Sequence, residues 1–176
     1  MSDAAHSLSK AIANRRCSLS KLLRQTQFIA AKLNLVDIER WVANELNGYE
    51  EATEPPAYRK ILTDHLEVYN ERQDSWHFAG HLSFGFPVRQ PIEQIEEFSH
   101  RDHVELPVAT KFSLKNDFGD SFGTDWPQRF IVKGSQYQCV LEGVAERWTD
   151  ELEKRGIAVS NLPHFLAALD SHSESR

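Results

Sequence analysis

Trp41-Val42-Ala43-Asn44-Glu45-Leu46-Asn47-Gly48-Tyr49, followed after a short acidic loop by Pro55-Pro56-Ala57-Tyr58-Arg59, joins the end of a helix to the start of a strand. Gly48 can take the left-handed conformation that closes a helix C-terminus at little steric cost. Pro55 and Pro56 forbid helix and lead the chain, extended, into Tyr58-Arg59-Lys60-Ile61-Leu62. Upstream, Ile38, Trp41, Val42, Leu46 and Tyr49 recur on one helical face, with Asn34 as the expected N-cap and Asp37 in the first turn, where the dipole favours an anion. Before it, Leu19, Leu22, Leu23, Ile29, Ala30 and Leu33 form the apolar stripe of a second helix beginning at Ser18, with Lys21, Arg24, Gln25 and Lys32 opposite. A shorter helix over Ser7 to Arg16 precedes both.

Downstream, Tyr58 to Tyr69 alternates imperfectly, as a bulged strand does. Asn70 to Ser75 reads as a turn and Trp76 to Phe86 as the partner strand of a hairpin. Pro91, Ile92, Ile95 and Phe98 mark a short helix ending near His100. Val104 to Leu114 is extended with a break at Pro107, Asn116 to Pro127 is a long loop, and Phe130-Ile131-Val132 is a short strand. Ser135 and Gln138 fit a capping box opening a long helix with Val140, Leu141, Val144, Ala145, Trp148 and Leu152 on one face and Gly156 as its stop. Ile157 to Val159 and Ser160 to Asp170 read as a strand and a final short helix. The expected architecture is α+β: an N-terminal helical hairpin, a small, mainly antiparallel sheet, and a long C-terminal helix packed on it. Residues 1–170 form one domain and 171–176 a polar tail.

The 176 residues, 40% of them hydrophobic, suffice for one domain with a substantial core. The net charge of -6 argues against gripping nucleic acid over the whole surface. That charge is uneven: residues 1–33 hold Lys10, Arg15, Arg16, Lys21, Arg24 and Lys32 against Asp3 alone, five cations in excess, leaving -11 on the remainder. The basic helices are expected to face the protein's own acidic body or solvent before DNA or membrane. Cys17 and Cys139 stand far apart, nothing resembles a signal peptide and no window suits a bilayer, so a reduced cytoplasmic setting is expected.

The chemistry-bearing residues admit competing readings. Glu45, Asn47, Tyr49, Tyr58 and Arg59 lie where a helix end meets an incoming strand, and can form either a polar pocket or a structural cluster in which Arg59 pairs with Glu45 or bonds helix carbonyls. His77 and His81 have the spacing of helical metal ligands but sit in strand-like sequence, where chelation is poor, so no metal is expected. His100-Arg101-Asp102-His103 mimics a kinase triplet without the glycine-rich loop that would give it meaning. Asp102, Glu105 and Lys111 lack compact nuclease spacing, and Asp117, Asp120 and Asp125 fit no calcium loop. No cofactor motif is present, and Cys139 reads as a small residue on a helix flank.

The corner Trp41-x-x-x-Glu45-Leu46-Asn47-Gly48-Tyr49 with Pro56-x-Tyr58-Arg59, behind a leucine-rich basic helix, resembles the AbiTii domain of bacterial abortive-infection proteins. The later stretch from Val140 to Arg147 is similar to that family's V-L-E-G-V-x-x-R helix. The resemblance implies a role in antiviral defence as a toxin or effector component acting through a protein partner or self-association. It supplies no active site, so Trp41, Glu45, Asn47, Gly48, Tyr49, Tyr58 and Arg59 enter as family-motif positions. The alternative is an enzymatic toxin such as a nuclease acting on RNA, drawing on Arg59, His65, His77, His81, His100 and His103. A further reading has the basic N-terminal helices bind nucleic acid.

Overall fold

A computed structural model describes residues 18–108 and 126–155, apart from the side chains of 80–82. The expected helix at 7–16, the loop acids, Lys111 and the elements placed beyond 155 lie outside these residues. Helix α1 (Leu19–Lys32) begins at Ser18, whose Oγ accepts the Lys21 amide proton. Its first turn has no acid of its own. Glu96, from a distant helix, supplies one: Oε1 accepts from the Leu19 N–H at 2.6 Å and sits at the positive end of the α1 dipole.

Helix α2 (Val36–Asn47) departs from the sequence expectation at its start. Asn34 does not cap it; Leu35 is the N-cap and makes no side-chain cap bond. Asn34 instead takes φ 55°, which its short polar side chain tolerates, and closes α1 with the Asn34 N–H donating to Ala31 O. The three-residue connection leaves the chain there to serve one helix end only.

After a 3₁₀ turn at Ala57–Arg59 come β1 (Lys60–Asn70) and β2 (Ser75–Pro87), an antiparallel hairpin. The strand begins two residues later than the sequence suggests, because Tyr58 and Arg59 are wound into the turn. The register shifts between Thr63 and His65 and again between Leu66 and Glu67, each time with one more residue on β2 than on β1. Ile61 and Thr63 are buried, then Leu66 and Val68. At the first shift Asp64 is exposed and His65 half-buried, and inward alternation resumes at Leu66.

Helix α3 (Ile92–Ser99), β3 (His103–Pro107), β4 (Gln128–Lys133) and α4 (Gly134–Glu153) complete the described chain. The sheet runs β2-β1-β4-β3, antiparallel throughout. Helix α4 packs against α3, β1 and β4, and the α1–α2 pair packs on α3. The core between sheet and helices joins Leu66, Val68, Phe130 and Val132 to Val140, Leu141, Val144 and Trp148. Trp148 Nε1 donates to Thr26 Oγ1 at 2.8 Å, tying α4 to α1.

The expected capping box does not form. Helix α4 starts at Gly134 with Lys133 as an N-cap that makes no side-chain bond, which puts Ser135 one residue inside the helix. The Gln138 amide nitrogen is buried without a hydrogen-bond partner among the described residues. The helix follows β4 directly, and its first amide, Gly134 N–H, donates to Asp102 O across the turn from β3.

Candidate functional site

Three side chains of the opening corner are brought together by helical spacing and one backbone turn. Trp41 and Glu45 are one turn apart on α2, so the indole Nε1–H reaches Glu45 Oε1 at 3.1 Å. Gly48 then takes φ 89°, and the Tyr49 N–H bonds Arg89 O at 2.8 Å, which swings the ring back over the helix end. The Tyr49 hydroxyl donates to the same Oε1 at 2.7 Å. From the 3₁₀ turn, the Tyr58 hydroxyl adds a third bond there at 2.7 Å. Arg59 takes the other oxygen, Oε2, through Nε at 2.9 Å and Nη2 at 2.6 Å. Its Nη1 donates to Val88 O and Gln90 O, so one guanidinium joins α2 to the segment leaving β2.

Both charged side chains are 0% exposed. Ion pairs at this depth carry a desolvation cost of several kcal/mol per charge, offset only when the remaining donors and acceptors are satisfied. Here five donors converge on one carboxylate, filling the roughly four lone-pair directions it offers. Glu45 is thereby left without a lone pair for a metal, a proton or a substrate, and Arg59 is spent inside the protein. Burial, together with the Glu45 charge and its hydrogen bonds, pushes both the Tyr49 and Tyr58 hydroxyls well above the ordinary tyrosine range. Of the two readings of this corner, the geometry is that of a structural cluster. Its carbonyl partners are those of Val88 and Gln90 rather than of the helix end. Asn47, on the last turn of α2, is exposed and takes no part.

The network has one outward side. Trp41 Nε1 also lies 2.9 Å from the Tyr58 hydroxyl, and the indole face is covered by the Arg147 guanidinium of α4 at 4.8 Å. Beside this stack opens a cleft of about 360 Å³ lined by Asp37, Arg40, Asn44, Tyr49, Glu54 and Arg147 among others. Arg40 and Asn44 were not singled out from the sequence, and Arg147 figured only as the end of a resembling stretch. The signal was an arginine on the α4 face next to the Gly143 side, readable only once the neighbour of that face was known.

The histidines scatter. His65 Nε2 lies 3.1 Å from Glu67, which Arg129 grips through Nε at 2.8 Å and Nη2 at 2.7 Å. Arg129 Nη1 continues to Glu105 at 2.7 Å, and its guanidinium stacks 4.0 Å from the Trp76 ring. Burial opposes ionisation of Glu67, yet the bonds from Arg129 and His65 prevail and hold its carboxyl below the usual range. His77 bonds Ser75 Oγ on β2, His100 ends α3, and His103 lies 4.0 Å from Glu105. The side chain of His81 is outside the described residues. At the β1–β2 bulge a second cleft of about 360 Å³ is lined by Thr63, Asp64, His65, Lys133 and Gln136. Arg59 and His65, both nuclease candidates, are therefore far apart in role: one is sealed in the core and the other lines a cleft. On α1, Arg24 pairs with Glu93 at 2.9 Å and Lys32 sits over the Phe28 ring.

The fold and this corner define an α+β domain whose sequence signature encodes a buried carboxylate–guanidinium junction between a helical hairpin and a sheet. The family model for AbiTii matches residues 4–167, nearly the whole chain. The chain belongs to the AbiTii family, which places it among bacterial abortive-infection defence domains. No curated protein and no solved structure matches it significantly. Among the described residues no helix is long and apolar enough to cross a membrane.

Proposed function

We propose that this AbiTii domain serves abortive infection as a toxin or effector component that acts by binding, to a partner protein or to a second copy of itself. One observation carries the reading: Phe28, Leu33 and Val36, all around the α1–α2 turn, are 55%, 60% and 61% exposed. Large apolar side chains grouped on a surface, with Lys32 over Phe28 at the edge, have the composition of a contact patch. The test is sedimentation of the purified protein over a range of concentrations, together with capture from phage-infected cells, for wild type and for Phe28→Ser/Val36→Ser. Association or capture that disappears in the variant supports the reading. A protein that stays monomeric and retains nothing rules it out.

The cleft at the β1–β2 bulge supports a second reading, an RNA-directed nuclease. His65 beside Asp64 and Lys133 offers a proton-transfer group next to a cation suited to phosphate. Cellular RNA and tRNA incubated with the protein, with and without divalent metal, should then be cut by wild type and spared by His65→Ala. Intact RNA under every condition removes this reading.

A further inference from the structure

The two stretches that carry the family signature meet at the Tyr58–Gly143 approach and again at the rim of the first cleft. Trp41 opens the first and Arg147 closes the second, and they stack at 4.8 Å at the edge of the cleft bounded by Arg40, Asn44 and Glu54. Trp41 cannot turn aside, because its Nε1–H is engaged by both Glu45 and the Tyr58 hydroxyl. The buried junction therefore fixes the indole, and the indole offers its face to the guanidinium above it.

Among the described residues that guanidinium has no acceptor. Every other arginine on the described helices and strands is committed, Arg24 to Glu93, Arg40 to Asp37, Arg59 to Glu45 and Arg129 to Glu67 and Glu105, as is Arg101 after α3 to Glu97. Arg147 forms no hydrogen bond or ion pair among the described residues; it lies over the Trp41 ring and within electrostatic reach of the Tyr58 hydroxyl. With a ring on one face, its N–H edge remains the free, planar, two-pronged donor that matches a carboxylate.

The charges around the cleft decide which anion fits. Arg40 and Arg147 are countered there by Asp37 and Glu54, so the cleft is neutral as a whole. Arg40 and Asp37 face each other at 3.5 Å with both side chains in water, a pair of small energetic weight. A neutral cleft with one uncommitted guanidinium suits a single negative charge. A dianionic phosphate or a polyanionic strand would meet Asp37 and Glu54, on a chain that already carries -6.

We propose that this cleft is a carboxylate-recognition site, in which Arg147, held on Trp41 and flanked by Asn44 and Arg40, receives an Asp or Glu side chain of a partner protein. The proposal rests on the binding role above and names the chemistry of the contact.

The experiment is a titration of the ¹⁵N-labelled full chain with the peptide acetyl-Gly-Glu-Gly-amide, which carries one carboxylate, following the Arg147 Nε–H and Trp41 Nε1–H resonances. Inorganic phosphate and AMP are titrated in parallel. The peptide should shift both resonances saturably. Arg147→Gln, which removes no hydrogen bond among the described residues, should keep the native spectrum and weaken peptide binding roughly tenfold or more, the weight of a charge-assisted pair. Arg147→Lys should fall between, because it keeps the charge and loses the fork. Absence of a saturable shift, equal binding by Arg147→Gln, or saturation by phosphate or AMP without the peptide would each overturn the proposal. Capture from infected cells separates it from the reading on which it rests. A partner held equally by wild type and Arg147→Gln sinks the carboxylate site alone, whereas a wild type that holds nothing and stays monomeric sinks the binding role.

Discussion

Tyr58 fills the space that a side chain at Gly143 would need: a Cβ on Gly143 would press on the Tyr58 Cβ and come within 2.9 Å of its Cγ. This close approach brings the 3₁₀ turn down onto α4 and lets the Tyr58 hydroxyl reach Glu45 at 2.7 Å. Glycine in the middle of a 20-residue helix is unfavourable by about 1 kcal/mol relative to alanine, so the position trades helix propensity for contact.

Gly143→Ala should therefore destabilise the protein despite the gain in propensity. Overpacking of this kind costs about 1–3 kcal/mol, and the clash involves the root of a held ring, which cannot swing away as a flexible chain end can. Urea unfolding of wild type and variant checks it; a more stable variant would show that the turn is free to move off the helix.

Gly48→Ala should be destabilising for two reasons that add. The residue holds φ 89°, and an added Cβ would lie 2.6 Å from Arg89 O, backbone that is itself bonded to the Tyr49 N–H. The expected loss is about 1–3 kcal/mol, the range for strained backbone positions. Thermal unfolding reads it directly.

Glu45 and Arg59 should show strong energetic coupling. Arg59→Met leaves a buried carboxylate without its cation, and such breakage costs about 3–5 kcal/mol. Glu45→Gln leaves the guanidinium with a neutral partner and one face of the Trp41, Tyr49 and Tyr58 donors poorly matched. The double variant should lose less than the sum of the two singles, as a double-mutant cycle in denaturant would reveal. Additive losses would mean that the two charges do not stabilise one another.

The buried tyrosines set an alkaline limit. Tyr49 and Tyr58 titrate well above 10.0, the value expected in the unfolded chain, and burial raises Tyr137 to about 12. Up to that unfolded value both states keep their phenolic protons and these groups leave stability unchanged. Above it the unfolded chain releases protons that the folded chain retains, so stability falls as pH rises from about 10 toward the folded values. Tyrosinate absorbance should accordingly lag in the native protein and appear together with loss of structure. A gradual native-state rise larger than the exposed Tyr69 can supply, without unfolding, would contradict the burial of these hydroxyls.

The architecture was largely legible in the sequence because its signals are local. Gly48 as a stop, the proline pair, the stripes of α1, α2 and α4, and the bulged hairpin all depend on residues within a turn or two of each other. The misreadings occurred where one residue type serves two roles. Asn34 suits an N-cap and a left-handed turn, and the end of α1 claimed it. Ser135 and Gln138 have capping-box spacing, but α4 begins directly from β4 at Gly134, which places the serine inside the helix. The candidate site was legible in part. Helical spacing put Trp41 and Glu45 on one face, whereas the choice between pocket and structural cluster depended on where five donors ended up.

What the sequence by itself determined is the set of elements and the corner that links them, because backbone stereochemistry and apolar periodicity act over short stretches of chain. The tertiary structure alone decided that Arg59 is sealed against Glu45 while Arg147, among the described residues, rests on the Trp41 ring without an ion pair. Both are arginines near tyrosines and glutamates in the sequence. Their different fates follow from packing: Arg59 enters where α2 and the exit of β2 close around it, and Arg147 projects from α4 where that layer ends.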